Sequence, residues 1–239
     1  MTTEIVELTD GLLRLRAPNP GPMTFSGTNS YLLRGGSNHG LSLPRGVAVI
    51  DPGPEDAAHL DAILGALTPY ERITHIFVTH AHLDHSPLAR PLARATGAKI
   101  YAFGSATAGR SAVMASLAAE ANPGGGEGVD AGFLPDITLQ DGETVTGDGW
   151  SLTALHTPGH FCNHMSFAWG DALFSGDHVM GWSTTVVSPP GGQPSAAAAS
   201  WAGSAARSAP KQAASRAVSR CGGARPRRRP RRRRVQRPP

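Results

Sequence analysis

The chain has 239 residues, of which 22 are basic, 18 are acidic and two are cysteines. This length suffices for one domain with a sizeable core. The cysteines, Cys162 and Cys221, indicate no disulfide framework and favour a reducing compartment. No stretch approaches the roughly 20 apolar residues of a membrane span, and residues 1–10 lack the apolar run of a signal peptide. We therefore expect a cytoplasmic protein without a membrane segment.

Charge divides the chain into two unlike parts. Residues 1–190 hold all 18 acids and nine basic residues, a net charge of −9, whereas residues 191–239 hold 13 basic residues and no acid. Of these last 49 residues, 41 are Ala, Gly, Pro, Arg or Ser, and none is Ile, Leu, Met, Phe or Tyr. Such a segment cannot bury a core, so we expect it to be disordered. The acidic part argues against general nucleic-acid binding, while the basic tail could bind polyanions.

Strand and helix patterns alternate along the first part, which predicts a layered α/β architecture. The predicted helices have apolar residues at helical spacing, and the predicted strands are short apolar runs between turn residues. The predicted helices cover 55–67, a segment ending near residue 95, and 112–121. The predicted strands cover 31–33, 47–50, 73–78, 98–103, 137–139, 151–156, 165–169 and 172–174.

Residues 79–85 read Thr-His-Ala-His-Leu-Asp-His and directly follow an apolar predicted strand. The run places His80, His82, Asp84 and His85 within six residues. Imidazole and carboxylate groups together suit zinc and similar first-row ions. A lone His is most often a surface or core residue, but four ligand groups at this spacing indicate a metal site.

Two later residues complete the predicted site. His160 ends the turn Thr-Pro-Gly-His, and Asp177 ends the run Phe-Ser-Gly-Asp, each after a predicted strand. A tight turn can aim a side chain into a cleft. Asp177 can bridge two ions, because a carboxylate has two oxygens and enough charge to offset both cations. The predicted binuclear site then has His80, His82 and His160 on one ion, and Asp84 and His85 on the other.

These residues resemble those of the metallo-β-lactamase superfamily, whose signature is the run His-x-His-x-Asp-His. Asp51, His160 and Asp177 stand in the order and at the strand ends that the family uses. The similarity covers about residues 10 to 190.

Three further runs look like one branch of that superfamily. Residues 27–31, 86–90 and 176–184 are similar to the branch that contains β-lactamase-like protein 2, which is also similar to glyoxalase II. Thioester hydrolysis and RNA cleavage both occur in this branch, so the resemblance leaves the substrate open.

The resemblance implies an αβ/βα four-layer sandwich with up to two zinc ions at one edge of two packed sheets. It implies hydrolysis in which a metal-bound hydroxide attacks a carbonyl carbon or phosphorus, since zinc can bring the pKa of bound water to about 7. Asp84 would be a ligand and would also orient that hydroxide and accept its proton. Asp51 and Thr79 would hold the histidines in orientation. His164 would be either a substrate contact or a structural hydrogen-bond partner.

The resemblance breaks in the C-terminal part. Binuclear members supply a further His to the second metal from a later strand, whereas no His follows His178 here. From Gly191 onward nothing matches the branch, so we expect residues 1–190 to form an incomplete domain and residues 191–239 a separate tail. Three interpretations stay open: an out-of-frame segment of a GC-rich gene, a genuine basic tail that binds nucleic acid, and a degenerate protein without catalytic activity.

Two functions follow as hypotheses. The first is a zinc-dependent hydrolase of a small ester, thioester or phosphodiester, with RNA among the candidate substrates and with a second metal site that is weak or empty. The alternative is a catalytically impaired remnant whose basic tail binds nucleic acid. His59 and His75 have no partners in the pattern and are interpreted as surface or core residues.

Overall fold

The computed structural model describes residues 3–35, 44–120, 128–187 and Gly191. The predicted disordered tail lies outside the described residues, apart from Gly191. Within the described ranges, no helix combines the length and the apolar character that a membrane crossing requires.

The larger sheet has seven strands in sequence order, antiparallel over its first four strands and parallel from the fourth to the seventh. The fourth and fifth strands are largely buried, as expected for parallel strands covered on both faces. The strands are β1 (Glu4–Thr9), β2 (Leu12–Arg16), β3 (Asn29–Leu33), β4 (Arg45–Ile50), β5 (Glu71–Phe77), β6 (Lys99–Ala102) and β7 (Ile137–Thr138).

Helices α1 (Ala57–Gly65) and α2 (Ala89–Thr96) cover one face of this sheet, and α3 spans Ala112–Glu120. Ile63 of α1 and Leu92 of α2 are fully buried in one apolar cluster with sheet residues such as Val49. The Asp56 side chain caps α1 by accepting a hydrogen bond from the backbone N–H of His59 at 2.7 Å. The helix positions therefore follow from their apolar faces and from ordinary end signals.

The smaller sheet is antiparallel and has the strand order β11-β10-β9-β8. A 3₁₀ turn, Gly176–His178, follows its edge strand. The strands are β8 (Thr144–Gly147), β9 (Trp150–His156), β10 (Met165–Trp169) and β11 (Ala172–Phe174).

A second apolar cluster fills the space between the two sheets. Phe77 from β5 meets Phe167 from β10 with ring centroids 5.2 Å apart, and it meets Trp150 from β9 at 6.0 Å. His75, also on β5, packs edge-on against the same Trp150 ring at 4.9 Å. Such edge-to-face contacts add to the free energy gained by burying the rings.

The predicted α/β sandwich is confirmed. Each predicted strand and helix overlaps an observed one, and only the bounds shift by a few residues. Three observed strands, β1, β2 and β8, are absent from the predictions. The residues of β1 are mostly exposed, and β8 is only partly covered, so neither strand carries the apolar run that marks a buried strand.

Candidate metal centre

The predicted ligands meet at one edge of the two sheets. Asp51 directly follows β4, and residues 79–85 follow the neighbouring parallel strand β5. The carboxyl ends of parallel strands lie at the same sheet edge, which brings these two segments together. The smaller sheet contributes His160 from the β9–β10 connection and Asp177 from the turn after β11.

The first ligand group consists of His80, His82, His160 and Asp177, whose ligand atoms lie within 4.8 Å of one another. Nδ1 of His82 is 3.0 Å from Nε2 of His80 and 3.0 Å from Nε2 of His160. Asp177 places Oδ2 3.6 Å from Nε2 of His160. Three imidazole nitrogens and one carboxylate thus converge on one point.

Hydrogen bonds on the far side of two rings fix which nitrogen faces this point. Thr79 donates its hydroxyl proton to Asp51 at 2.8 Å, so the same oxygen can only accept from Nδ1 of His80, which lies 3.0 Å away. Nδ1 of His160 donates in the same way to the carbonyl oxygen of Val186 at 2.6 Å. Nε2 of His80 and Nε2 of His160 therefore face the site without a proton.

The second ligand group consists of Asp84, His85 and Asp177. Nε2 of His85 lies 3.3 Å from Oδ2 of Asp84 and 3.4 Å from Oδ1 of Asp177. Nδ1 of His85 donates to Asp51 at 2.9 Å. Asp177 therefore lies between the two groups, with one oxygen toward each.

The rings of the first group are neutral at pH 7. Burial lowers the pKa of His80 well below its usual range, and the nearby His rings lower it further. Burial and the ring of His160 lower the pKa of His82 to about 4. Burial also lowers the pKa of His160, although Asp177 opposes this shift. Neutral imidazole is the form that binds a metal.

His85 has the opposite electrostatics. Burial disfavours its charge, but the carboxylates of Asp84, Asp177 and Asp51 outweigh burial and raise its pKa well above the usual range. Burial likewise opposes ionisation of Asp84, and the charge of His85 reverses that effect and lowers the carboxyl pKa. Ionised carboxylates thus surround the second group.

This donor set fits a zinc-like ion. Nδ1 of His82 lies 3.0 Å from two unprotonated nitrogens, Nε2 of His80 and Nε2 of His160. A proton on this Nδ1 could form a hydrogen bond with only one of them. Without a metal ion, at least one pair of nitrogens therefore remains without a hydrogen bond. A cation between the three nitrogens satisfies all of them, and Asp177 completes a four-donor N₃O set. Imidazole and carboxylate donors in this number are typical of zinc sites.

Asp51 and Thr79 contact the histidines of both ligand groups from behind. Asp51 accepts from the Thr79 backbone N–H at 2.7 Å and has a positive φ of 48°, a conformation uncommon outside glycine. Through these bonds Asp51 orients His85 directly and His80 through Thr79. Both residues are almost fully buried, which keeps the contacts out of water.

His164 is fully buried, and its Nδ1 forms a hydrogen bond with the hydroxyl of Thr157 at 2.9 Å. Its ring packs behind His80 with centroids 5.0 Å apart. Of the two expectations for His164, this placement favours the structural hydrogen bond over substrate contact. An added Cβ at Gly176 would lie 2.7 Å from Nε2 of His164, so glycine is required immediately before Asp177.

Asn163 is a supporting residue that the sequence analysis missed. It is fully buried, and its Oδ1 accepts from the backbone N–H of Ala81 at 3.3 Å. Its Nδ2 donates to the carbonyl oxygens of Gly104 and Ser105 at 3.3 and 3.1 Å. One amide thus ties the His-x-His loop to the segment after β6.

Thr28 supports Asp84 in a similar way. Its hydroxyl donates to Oδ2 of Asp84 at 3.1 Å and accepts from Nδ2 of Asn19 at 3.1 Å. Oδ1 of Asn19 also accepts from the Thr28 backbone N–H at 2.9 Å. Thr28 belongs to the run 27–31 that resembles one branch of the superfamily, but its contact with Asp84 joins positions 56 residues apart and follows from no local spacing.

His59 and His75, interpreted from the sequence as surface or core residues, are both at least partly buried. His59 is fully buried, with a ring nitrogen 2.9 Å from Ser30 Oγ, whereas His75 is only partly buried. His156 stacks on Phe103 with centroids 3.8 Å apart. These rings lie outside both ligand groups.

Residues 23–214 match the family model of the Metallo-beta-lactamase superfamily. The chain belongs to this superfamily. Its His-x-His-x-Asp-His run and both ligand groups lie within the matched range, and the match also extends past the change in composition at residue 191.

Curated members of the superfamily include two informative relatives. The beta-lactamase-like protein 2 homolog of Drosophila melanogaster is 30% identical over 190 residues, which are 76% of this chain and 57% of that protein. The atrochrysone carboxyl ACP thioesterase of Paecilomyces divaricatus is 28% identical and covers 79% of this chain and 51% of its own length. The chain therefore spans little more than half the length of these relatives.

Solved structures show the same fold. A beta-lactamase domain protein from Burkholderia ambifaria has a TM-score of 0.58 at 23% identity, over 77% of this chain and 60% of that one. A metallo-beta-lactamase family protein from Thermus thermophilus has a TM-score of 0.55 at 25% identity, over 77% and 64%.

Proposed function

We propose that the protein is a zinc-dependent hydrolase of an ester, thioester or phosphodiester. The observation that carries this proposal is the convergence of three neutral imidazoles and the Asp177 carboxylate on one point. A thioesterase among the relatives supports hydrolysis of an acyl bond, and superfamily membership supports the use of a metal.

In this proposal, His80, His82 and His160 with Asp177 hold the first zinc ion. A bound zinc ion supplies a nucleophile near neutral pH by lowering the pKa of water, and it polarises the bond to be cleaved. Asp84, ionised and oriented by Thr28 and His85, accepts a proton at its carboxylate. Asp51 holds the ring of His85 in orientation. The ring in turn holds the proton-accepting carboxylate of Asp84 at a fixed distance from the first ligand group.

A second zinc ion would bind to Asp84, His85 and Asp177. These residues supply three protein donors, one fewer than the first group. Binding of this ion must also displace the proton that three carboxylates favour on His85. We therefore expect the second ion to bind more weakly than the first.

The test is metal analysis and hydrolysis with the full chain. Protein purified with zinc should retain about one ion per chain after dialysis and should hydrolyse at least one of three substrate types: an ester, a thioester and a phosphodiester. His82→Ala should lose both properties while circular dichroism shows the same fold. Wild-type protein that binds no zinc and cleaves none of the three bonds would contradict the proposal.

A second candidate function rests on the charge of residues 191–239, which hold 13 basic residues and no acid. We propose that this tail binds polyanions without sequence preference. Affinity for an RNA oligonucleotide should fall steeply with salt and should disappear when residues 191–239 are deleted. Unchanged RNA binding by the deletion variant would refute this role.

A further inference from the structure

Two loops bring a stacked aromatic pair to the mouth of the metal centre. Phe25 lies in the β2–β3 connection and Trp182 follows the 3₁₀ turn that carries Asp177. Their ring centroids are 5.2 Å apart and their planes differ by 17°. The rings are 53% and 39% exposed, so neither belongs to the core. Exposed aromatic side chains beside a cavity are typical of ligand-binding regions.

The loop of Phe25 is held in place by its own hydrogen bonds. The backbone N–H of Gly21 donates to the carbonyl of Phe25 at 3.2 Å, and Thr24 donates its hydroxyl to Asn19 at 2.5 Å. Phe25 itself has a positive φ of 53°, which a bulky residue rarely adopts. Strain of this kind persists when the surrounding structure fixes it, and it is common at ligand sites.

Trp182 lines a cavity that extends to the metal-ligand carboxylates. Met23 and Met180 also line this cavity, as do Asp84 and Asp177. Phe25 stacks on Trp182 and so orients its ring. Methionine and tryptophan side chains offer polarisable, adaptable contacts to aromatic and apolar groups.

The lining of this cavity lacks the side chains that ordinarily bind a phosphate-containing substrate. Among the described residues that line it there is no Lys or Arg, whereas Asp51, Asp84 and Asp177 all contribute carboxylates. Phosphate recognition in proteins ordinarily uses Arg or Lys, so a phosphate in this cavity would depend on metal ions held by these carboxylates. An uncharged acyl group needs no cationic partner and can pack against the apolar part of the lining, which includes Met23, Met180 and Trp182.

We infer that the cavity binds the aromatic or large apolar acyl group of an uncharged thioester or ester, with Trp182 as a specificity-determining residue. This inference rests on the proposed hydrolase function and narrows its substrate. In the reaction, the oxygen of water bonds to the acyl carbon as the carbon–sulfur or carbon–oxygen bond breaks. The products are a carboxylate, a thiol or alcohol, and one proton released to solvent at neutral pH.

The test compares phenylacetyl and acetyl thioesters of N-acetylcysteamine on the zinc-loaded full chain. Wild-type protein should favour the phenylacetyl substrate by at least about tenfold in kcat/KM, as an apolar pocket allows. Trp182→Ala should reduce that ratio about tenfold, and Phe25→Ala should reduce it about threefold. Trp182→Phe should retain most of the preference because it keeps an aromatic ring.

Tyr70→Ala is the matched control. Tyr70 is 64% exposed and precedes β5, at the end of that strand opposite the ligands. Its removal should leave the ratio within about twofold of wild type, because Tyr70 lies outside the residues that line the cavity.

Calorimetry on non-hydrolysable thioethers tests the cavity independently of activity. The 2-phenylethyl thioether of N-acetylcysteamine should bind wild type at least about tenfold more tightly than the ethyl thioether, and Trp182→Ala should remove the difference. Equal affinities for the two thioethers, or a wild-type preference for acetyl substrate or for bis(p-nitrophenyl) phosphate, would overturn the inference. Selective thioether binding without hydrolysis of any substrate would instead refute the hydrolase function and leave an aromatic-binding cavity.

Discussion

The two ligand groups share Asp177 but have opposite electrostatics. In the first group, burial keeps His80, His82 and His160 neutral, so their nitrogens are ready to bind a metal. In the second group, nearby carboxylates favour a protonated His85. A metal ion would therefore enter the first group without displacing a proton at neutral pH, but would compete with a proton in the second.

The two groups also differ in how the fold assembles them. The first draws two ligands from the loop after β5 and two from segments of the smaller sheet, so it depends on the packing of the sheets. The second takes Asp84 and His85 from consecutive positions and needs the smaller sheet only for Asp177. A change that shifts one sheet against the other should therefore affect the first group more.

Removal of the shared ligand should have the largest effect. Asp177→Ala takes one donor from each group, and we expect hydrolysis to fall about 10³-fold, consistent with a metal contribution of several kcal/mol. Steady-state rates and zinc content measured together check this. Asp171→Ala, an exposed aspartate in the preceding turn, is the matched control and should keep both values near wild type. An active Asp177→Ala protein would show that the groups do not share this residue.

Single ligand removals should separate the two groups. His160→Ala should lose the more tightly bound zinc ion, whereas His85→Ala should retain about one ion per chain because all four donors of the first group remain. Zinc titration with a competing chelator measures both affinities. If His85→Ala loses zinc as completely as His160→Ala, the proposed order of affinities is wrong.

Thr79→Val should weaken zinc binding to the first group by releasing the proton on Nδ1 of His80 from its hydrogen bond. Valine preserves the shape but removes the oxygen that accepts from Nδ1 of His80, and the expected loss in zinc affinity is about 10- to 100-fold. The same titration provides the measurement, and the exposed Thr138→Val in β7 provides the control. Unchanged affinity in Thr79→Val would mean that the tautomer of His80 is fixed by other contacts.

The smallest expected effect is on the pH dependence of the free energy of unfolding of the metal-free protein. The pKa of His82 is about 4 in the folded state, against a usual value of 6.5, so the unfolded chain binds more protons between these values. The contribution of His82 to the free energy of unfolding is therefore complete above pH 6.5 and is lost as the pH falls toward 4.

Urea unfolding of chelator-treated protein at several pH values measures this dependence. His82→Gln should show a shallower decline in the free energy of unfolding between pH 6.5 and 4 than wild type. His85 contributes with the opposite sign, since its raised pKa gives stability that is present below pH 6.5 and lost as the pH rises. Equal slopes in wild type and His82→Gln would contradict the assigned pKa.

The convergence of the candidate ligands was predictable because their sequence signal is local or lies at strand ends. His80 to His85 form one short run, and His160 and Asp177 each follow a predicted strand with a turn sequence. The supporting contacts had no such signal. Asn163 bonds a backbone group 82 positions away, and its role follows only from the packing of two sheets.

The fold shows the same division. Apolar runs predicted β4 and β5, which are buried, whereas the exposed residues of β1 hid a strand that is held by pairing with β2. Periodicity reports burial, and an edge strand with little burial offers little to detect. The choice between the two expectations for His164 likewise needed the position of Thr157 in space.

The hydrogen bond from His160 to Val186 sets a minimum length for any shortened version of this protein. The acceptor is a backbone carbonyl, so no substitution at position 186 other than one that moves the backbone can remove it. A chain cut after residue 187 keeps the acceptor, while one cut before residue 186 leaves the ring of His160 able to exchange its proton between both nitrogens. Only the longer version should reproduce the zinc affinity of the full chain. A series of truncations across these few positions would show at which residue the affinity falls.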